Sequence, residues 1–281
     1  MINTVQMPAT IRQAVEMLHQ APGSDILAGG TDYMVAVNYG HCSPHSVISL
    51  RAVDELRGWR RNGDFLVLGA GLRFADMLKP EFAKLSPALA QAARTVGSPQ
   101  IRNTGTLGGN IATASPAGDS LPVLAALDAV VEVASVAGRR SLPISQFITG
   151  VKRTALAEDE IIVNVTVPAA AGAQEFLKVG RRNAMVIALA SLALIVDDKA
   201  KRVACALGSV GPTVIRCSEA EEMVSQKIDW DRMRIDDPRI VDEFAALCAF
   251  AARPIDDHRS TADYRRHAVS VLARRALARA F

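Results

Sequence analysis

The stretch from Gly105 to Pro122, GTLGGNIATASPAGDSLP, places the strongest constraint on how this chain can fold. Its adjacent glycines, Gly108 and Gly109, have no Cβ, so the backbone there can take positive φ and let another group approach its N–H donors closely. Backbone N–H groups arranged in this way hold a phosphate or pyrophosphate without a charged side chain. Pro116 stiffens the second half of the stretch, along which polar side chains are dense. We therefore predict a ligand-binding loop here.

A second glycine stretch of similar polar character lies upstream, in LAGGTD from Leu27 to Asp32. A predicted strand over Asp25 to Ala28 leads directly into it, and the following YMVAVN predicts a helix. Glycines between a strand end and a helix start bring free N–H groups and the positive end of the helix dipole together, which suits an anion. Whether Asp32 contacts a ligand or only caps the helix stays open.

A structural explanation of the central stretch also stays open. Its glycines can serve only as turns, and Asp119 can serve only as the cap of the helix that begins SLPVLAALDA, with Pro122 in the first turn. The stretch nevertheless carries more hydrogen-bonding side chains than a turn requires, among them Thr113 and Ser115. This surplus and the upstream glycine stretch favour a ligand site.

The composition is that of a globular protein in a reducing compartment. Hydrophobic residues make up 49% and charged residues 22%, which excludes disorder, and 281 residues suffice for two or three subdomains. The net charge of +3 is too small to indicate a nucleic-acid partner. The four cysteines include no C-x-x-C pair, which argues against an iron–sulfur cluster or structural zinc in this chain. The longest apolar run, Ala184 to Val196, is too short to span a bilayer, and no signal-peptide pattern is present, so we predict a cytoplasmic protein without a membrane span.

Two other motifs are weak. The sequence HCSPH at 41–45 resembles a metal site, but no further ligand is near in sequence, so we interpret it as a loop. Gly69-x-Gly71-x-x-Phe74 departs from the dinucleotide fingerprint, because its sixth position is Phe and no strand with a terminal acid follows about 20 residues on.

Hydrophobic periodicity and turn residues predict the remaining elements. The terminal helix carries five arginines, and whether they face an acidic partner or solvent stays open. The predicted elements are a strand at 2–5, a helix from the cap Thr10 to Gln20, a helix from Pro80 to Val96, a hairpin turning at Gly138, a strand at 159–168, a linker at 169–174, two strands flanking DDKAKR, and a terminal helix with a capping box at Ser260.

Taken together, the two glycine stretches resemble those of a known family. LAGGTD followed by TLGGNIATASPAGD resembles the FAD-binding medium subunit of molybdenum hydroxylases, the family of carbon monoxide dehydrogenase, xanthine dehydrogenase and 4-hydroxybenzoyl-CoA reductase. The resemblance covers nearly the whole chain, because QIRN, DEIIVNVTVP, FLKVGRR and DHRSTADYRR also occur in family order. Either glycine motif alone is weak evidence, whereas both in this order are specific.

The resemblance implies an α+β fold. It consists of a PCMH-type FAD-binding fold of two lobes, followed by a C-terminal domain with a small antiparallel sheet and helices. The implied domains are FAD-binding lobe 1 at residues 1–55, FAD-binding lobe 2 at 56–172 and the C-terminal domain at 173–281.

The resemblance also implies which residues bind FAD. In the family, the two glycine loops bind the FAD diphosphate from opposite lobes, further polar side chains contact FAD, and a hydrophobic residue and a cation lie at the flavin ring. No catalytic residue and no metal ligand is implied in this chain. Carried over to this sequence, the diphosphate residues are Ala28, Gly29, Gly30, Thr31, Asp32, Thr106, Gly108, Gly109 and Asn110, the further polar contacts are Thr113, Ser115 and Asp119, and the flavin neighbours are Ile162 and Lys178.

The implied activity is that of an electron-transfer oxidoreductase subunit. In the family, substrate is oxidised at a molybdenum cofactor in a large subunit, and electrons cross two [2Fe–2S] clusters in a small subunit before reaching the flavin and then an external acceptor. The resemblance thus implies FAD as cofactor, with the molybdopterin-binding large subunit and the [2Fe–2S] small subunit as partners in a dimer of heterotrimers. Two alternatives stay open: a free-standing PCMH-fold flavin oxidoreductase, and an interaction module that kept the fold without FAD.

Overall fold

The structure, a computed structural model, describes residues 4–43, 45–169 and 172–281. Part of the predicted strand at 2–5 and part of the predicted linker at 169–174 therefore lie outside the described residues. Within the described residues the strands, β1 to β14 in chain order, are Thr4–Gln6, Asp25–Leu27, Ser46–Ser49, Trp59–Asn62, Phe65–Gly69, Val130–Ser135, Gly138–Pro143, Ile148–Gly150, Arg153–Thr154, Ile161–Pro168, Gln174–Val179, Ala190–Asp197, Arg202–Gly208 and Ile215–Arg216.

Helices alternate with these strands and confirm the α+β class. Two short 3-10 helices, Leu50–Ala52 and Asp54–Leu56, join β3 to β4. The α-helices described, α1 to α12 in chain order, are Ile11–Gln20, Tyr33–Asn38, Phe74–Met77, Pro80–Ala83, Pro87–Thr95, Pro99–Thr104, Leu107–Thr113, Ser120–Ala126, Ile144–Phe147, Ser218–Ser225, Pro238–Ala251 and Ala262–Ala280.

The chain forms two compact units, each assembled from three stretches of sequence. The first unit contains Met1–Asp76, Pro99–Ala114 and Ala129–Pro168. The second unit contains Met77–Ser98, Ser115–Asp128 and Ala169–Phe281. The first glycine stretch, residues 27–32, lies in the first unit. The second stretch, residues 105–122, is divided, with its residues up to Ala114 in the first unit and those from Ser115 in the second.

The first unit contains a parallel sheet of three strands in the order β1-β3-β2. Helix α1 begins where predicted, because the Thr10 hydroxyl accepts a hydrogen bond from the Gln13 N–H at 3.1 Å. Its buried residues, Ile11, Ala14, Val15 and Leu18, follow the predicted helical spacing.

A second sheet in this unit has five strands in the order β4-β5-β10-β6-β7. Its central strand β10 pairs antiparallel with both β5 and β6, as the long run of β-branched residues favours. Val165 lies opposite Leu68 and Val167 opposite Leu66, and all four side chains are fully buried. The predicted hairpin is confirmed, since β6 pairs with β7 and Gly138 lies at its turn with φ 132°.

The second unit is built on an antiparallel sheet of four strands in the order β11-β12-β13-β14. The buried faces of α10, α11 and α12 pack against its alternating apolar side chains, including Leu192, Leu194 and Leu207. Across the described part of the chain, no helix is both long and apolar enough to cross a bilayer.

Two predicted helix boundaries are wrong in detail. The single helix predicted from Pro80 to Val96 is two helices, because Pro87 has no N–H to donate and restricts the residue before it, so a new helix begins there. The cap of α12 is Thr261 rather than Ser260, since the Thr261 hydroxyl accepts from the Tyr264 N–H at 3.2 Å.

Candidate functional site

The first glycine stretch connects β2 to α2. Gly30 has φ 74°, which a residue with a side chain rarely adopts. Backbone N–H groups of Gly30, Thr31 and Asp32 have no hydrogen-bond partner among the residues described. Asp32 holds the N-cap position of α2, but its side chain makes no capping hydrogen bond, so the capping alternative is wrong. The stretch therefore presents donors at the start of a helix, as the sequence predicts for an anion site.

The second glycine stretch differs from the prediction. Its residues do not form a loop with positive φ at the glycines, because Leu107–Thr113 is the helix α7. Thr106 caps this helix by accepting a hydrogen bond from the Gly109 N–H at 3.1 Å. The Gly108 N–H donates to the Ala70 carbonyl at 2.8 Å, so these two amides already have protein partners. The left-handed residue is Ala114, with φ 45°, which ends the helix.

The two adjacent glycines of α7 have different reasons to lack a side chain. A methyl group at Gly108 would lie 2.7 Å from the Ala70 Cβ, so Gly108 permits close packing on the residue that follows β5. A methyl group at Gly109 would approach only the Thr106 Oγ1, at 3.0 Å, and would otherwise project into space that the described residues leave open. Gly109 is therefore the position where an added side chain would fill open space once the Thr106 hydroxyl shifts by a few tenths of an ångström.

The two glycine stretches lie against each other in the first unit. A methyl group at Gly29 would be 2.1 Å from the Thr104 carbonyl oxygen, so the backbones approach as closely as glycine allows. On the other side, the Thr31 hydroxyl is 3.5 Å from the position of a Cβ at Gly105. The structure thus brings together Ala28–Asp32 and Thr104–Gly109, 72 or more residues apart in sequence.

The remaining predicted residues of the first unit lie on α7 and β10. Asn110 follows the glycine pair, with its N–H bonded to the Thr106 carbonyl at 3.0 Å, and Thr113 ends the helix. Ile162 lies on β10 beside an irregularity in its pairing with β6, and its side chain is buried.

Three predicted residues, Ser115, Asp119 and Lys178, lie in the second unit. Asp119 and Lys178 form a buried ion pair, with Lys178 Nζ 2.6 Å from Asp119 Oδ2 and both side chains less than a tenth exposed. The Thr95 hydroxyl donates to the same carboxylate oxygen at 3.0 Å, and its carbonyl accepts from Lys178 Nζ at 3.2 Å. The Ser115 hydroxyl accepts from the Ala117 N–H at 3.3 Å.

Asp119 stands at the N-cap position of α8 but does not cap it, so the capping alternative is wrong here as well. Its backbone is already helical there, with φ −64°, and its side chain is directed to Lys178 instead. Burial raises the pKa of Asp119 above its ordinary value, although Lys178 and the Thr95 hydrogen bond act in the opposite direction. Oδ1 is buried without a hydrogen-bond partner among the described residues. A buried acceptor left in this way has capacity for one further donor.

Arg265 is a functional candidate that the sequence did not single out. Its hydrogen bonds connect segments of the second unit that lie next to this ion pair. Its side chain is buried, whereas the other four arginines of α12 are exposed, as expected for a solvated face. Arg265 Nη1 donates to the carbonyls of Ser209 and Leu189, at 2.9 and 3.2 Å. The Ser209 N–H donates to the Pro116 carbonyl and the Leu189 N–H to the Val179 carbonyl, both at 2.8 Å. One guanidinium thus connects to the segments that carry Asp119 and Lys178.

Asp257 neutralises the buried Arg265 and gives a pH prediction. Burial raises its pKa, but hydrogen bonds from the Arg259 and Ser260 N–H groups and the Arg265 guanidinium outweigh burial and lower it from 3.8 to about 2. Because the pKa of Asp257 is lower in the folded than in the unfolded chain, the ionised carboxylate stabilises the fold. This stabilisation is complete above pH 3.8 and disappears as the pH falls through about 2. We expect the urea midpoint to fall over this window in the unaltered chain and to change less in Asp257→Asn. The matched control is Asp198→Asn, because Asp198 is exposed. If the urea midpoint of this control changed as little with pH as that of Asp257→Asn, the prediction would be contradicted.

Comparisons with known proteins give two family matches that together span nearly the whole chain. A family described as the FAD binding domain in molybdopterin dehydrogenase matches residues 2–170. A family described as the CO dehydrogenase flavoprotein C-terminal domain matches residues 175–280.

Individual proteins are similar over most of their length. The chain is 35% identical to the nicotinate dehydrogenase FAD-subunit of Eubacterium barkeri over 230 residues, which cover 77% of each chain. It is 30% identical to the glyceraldehyde dehydrogenase medium chain of Sulfolobus acidocaldarius over 272 residues, covering 95% of this chain and 94% of that one. A chain of quinoline 2-oxidoreductase from Pseudomonas putida 86 has a similar fold, with a TM-score of 0.90 and 25% identity over 100% of this chain and 96% of that chain. The predicted fold is confirmed by this similarity.

Proposed function

Because this chain belongs to the family of FAD-binding subunits of molybdopterin dehydrogenases, we propose that it binds FAD and is the electron-transfer subunit of a molybdenum hydroxylase complex. As a member of this family it is an oxidoreductase subunit of the flavoprotein type. FAD accepts electrons one at a time and passes them on in pairs, which suits a connection between one-electron iron–sulfur clusters and an external acceptor.

The observation that carries the proposal is the pair of glycine stretches brought together in the first unit. Free backbone N–H groups at Gly30 to Asp32 suit a diphosphate, and the open space beside Gly109 suits a group that a side chain would displace. We propose that Ala28–Asp32 and Thr106–Thr113 hold FAD in this unit, with Ile162 beside the flavin.

In the second unit we propose Ser115, Asp119 and Lys178 as further contacts to FAD. The buried Asp119 Oδ1 lacks a partner among the described atoms and would accept from a donor of the ligand. Lys178 would favour negative charge on reduced flavin, and Asp119 holds its ammonium group in place.

We also propose the three-part division into residues 1–55, 56–172 and 173–281. The two family matches end at residue 170 and begin at residue 175, on either side of the boundary at 172. The parallel sheet formed by β1 to β3 ends before residue 55, and the five-stranded sheet begins with β4 at Trp59, which supports the inner boundary.

The partners that we propose are a molybdopterin-binding large subunit and a [2Fe–2S] small subunit, assembled as a dimer of heterotrimers. Relatives named as a FAD-subunit and as a medium chain support a role within a larger complex. We place the complex in the cytoplasm, because all four cysteines are free thiols, as a reducing compartment favours.

Electron acceptance by the isolated chain tests this function. We expect one FAD per chain, released by acid precipitation because neither glycine stretch contains a histidine or cysteine to form a covalent link. Dithionite should bleach the bound flavin, whereas aldehydes, purines and aromatic CoA thioesters should leave it oxidised until the partner subunits are added. The absorption spectrum at the flavin band measures both.

Two outcomes would replace the proposal. Bleaching of the isolated chain by one of these substrates would favour the free-standing flavin oxidoreductase, although His258 and His267, the histidines of the C-terminal region, are both exposed. Purified chain that neither contains nor takes up FAD would favour an interaction module.

A further inference from the structure

Three cysteines that are distant in sequence meet in the core of the second unit. Cys205 lies on β13, Cys217 directly precedes α10, and Cys248 lies on α11. Their three sulfur atoms lie within 4.8 Å of one another, and Cys205 Sγ and Cys248 Sγ are 3.8 Å apart. All three side chains are buried and none forms a disulfide. Of the residues described, no other group of His, Cys, Asp or Glu has comparable metal-binding geometry.

The spacing of the sulfurs fits a three-coordinate thiophilic ion. A trivalent ion with a lone pair binds three sulfurs in a pyramid, and bonds of about 2.3 Å at angles of roughly 100° place the sulfurs roughly 3.5 Å apart. The backbone fixes two of the ligands relative to each other, because the Cys217 N–H donates to the Cys205 carbonyl at 2.9 Å. The third ligand, Cys248 on α11, already has its sulfur 3.8 Å from that of Cys205.

The surroundings of the three cysteines favour a complex that carries no net charge. The carboxylate of Glu221 accepts from the Cys205 N–H at 2.8 Å and from the Arg216 guanidinium at 2.8 Å, and Arg216 also binds Asp128 at 2.6 Å. With Arg202, which also binds Asp128 at 3.0 Å, the two arginines and two carboxylates carry no net charge together, so this group adds no net charge beside the sulfurs. The remaining neighbours are apolar core residues such as Val224 and Phe244. A complex with net charge would therefore be costly here.

We propose that Cys205, Cys217 and Cys248 form a binding site for a trivalent thiophilic ion of the arsenite class. Arsenite, As(OH)3, would react with the three thiols to give a neutral tris-thiolate and three water molecules. Three As–O and three S–H bonds break, three As–S and three O–H bonds form, and no atom changes oxidation state. A monovalent or divalent ion held by three thiolates would leave net negative charge in the apolar core, and Zn²⁺ would in addition lack its fourth ligand.

Mass spectrometry of the FAD-containing chain tests this site directly. Reduced protein is incubated with sodium arsenite, and its intact mass is measured under native conditions. We expect a single adduct with the mass of one arsenic atom less three hydrogens. Uptake should be slow and should accelerate on mild warming, because the buried sulfurs become accessible only when α11 and β13 separate locally. Since the ion links three elements of the folded chain, arsenite should also raise the melting temperature.

Cysteine variants identify the ligands. Cys217→Ala and Cys217→Ser should abolish the three-hydrogen adduct, whereas Cys42→Ala, which removes the one cysteine outside the cluster, should leave it unchanged. Absence of an adduct in the unaltered chain, or its persistence in both Cys217 variants, would overturn the proposal. Binding of Zn²⁺ or Cu⁺ to the unaltered chain in preference to arsenite would overturn the charge argument. Because none of these cysteines belongs to the proposed FAD site, failure of this test leaves the proposed function intact.

Discussion

Gly109→Val is expected to lower FAD affinity at least about 100-fold, equivalent to about 2.7 kcal/mol, while the apoprotein stays folded. The valine side chain would project into the space beside α7 that we propose for FAD. Apart from the backbone of α7 itself, the Thr106 hydroxyl is the one described group within 4 Å of the added Cβ. Gly109 is helical with negative φ, so valine meets no backbone strain there, and its helix propensity exceeds that of glycine. FAD titration followed by fluorescence, together with urea unfolding of the apoprotein, measures both quantities.

Gly108→Val is the informative comparison. It changes the neighbouring residue, but we expect it to lower the stability of the apoprotein, whereas Gly109→Val should lower FAD affinity. Its Cβ would lie 2.7 Å from the Ala70 Cβ and 2.8 Å from the Ala70 carbonyl oxygen. Overpacking of this kind costs about 1–3 kcal/mol, so the free energy of unfolding should fall even without FAD. Gly150→Val, whose Cβ would meet only Arg153 atoms at 3.8 Å, is the control for valine in the first unit. Equal destabilisation by the Gly108 and Gly109 variants, with FAD affinity retained in Gly109→Val, would contradict the proposed FAD position.

The contrast between these two glycines also explains why the sequence predicted the site better than its conformation. A glycine pair favours a loop by local propensity, so the sequence predicted positive φ. The observed helix is fixed by contacts distant in sequence, because the Leu107 and Gly108 N–H groups donate to the carbonyls of Leu72 and Ala70. The Thr106 cap, in contrast, is a local signal that was readable from the sequence. Local propensity alone could not predict these hydrogen bonds to the residues that follow β5.

Strands were predicted well where apolar and polar residues alternate along the chain, or where a run of buried residues is bounded by turn residues. Val165 and Val167 of β10 and the hairpin at Gly138 follow directly from period two and turn chemistry. The three-cysteine cluster was not predicted, since 12 and 31 residues separate its members in sequence and spacing alone carries no trace of their contact. Arg265 was missed for a related reason: the arginines of α12 are alike in sequence, and only the packing of the sheet buries one of them.

Asp119 shows how a local signal can point to the wrong partner. Its position before SLPVLAALDA satisfies the pattern for a helix cap, yet the side chain binds Lys178, 59 residues away. A short polar side chain competes between its own backbone and tertiary partners, and here a buried ammonium group outweighs a backbone N–H. This ion pair is the source of the second large effect that we expect.

Lys178→Met is expected to destabilise the second unit by about 3–5 kcal/mol, because it leaves the buried Asp119 carboxylate without its cation. Asp119 and Lys178 are both less than a tenth exposed, so water cannot replace the lost partner. Burial already raises the pKa of Asp119, and removal of Lys178 raises it further. For a folded-state pKa above the unfolded value, stability is complete below the unfolded pKa and is lost as the pH rises through the folded pKa, so the variant should be most stable in acid and less stable at every pH above the folded pKa. Urea unfolding at several pH values measures this.

The double variant Asp119→Asn/Lys178→Met separates a structural role of the ion pair from a role in binding FAD. It removes both charges at once, so most of the stability lost in Lys178→Met should return. Lys201→Met, at an ion pair of 4.0 Å whose side chains are mostly exposed, should change stability by less than about 0.5 kcal/mol. If Lys178 lies beside the flavin as we propose, the refolded double variant should bind FAD more weakly and give a lower flavin reduction potential, because the cation that favours negative charge on reduced flavin is gone. If stability is restored while FAD affinity and the flavin reduction potential are unchanged, the ion pair has a structural role only, which is to connect β11 to the helices α5 and α8. That result would remove Asp119 and Lys178 from the proposed FAD site.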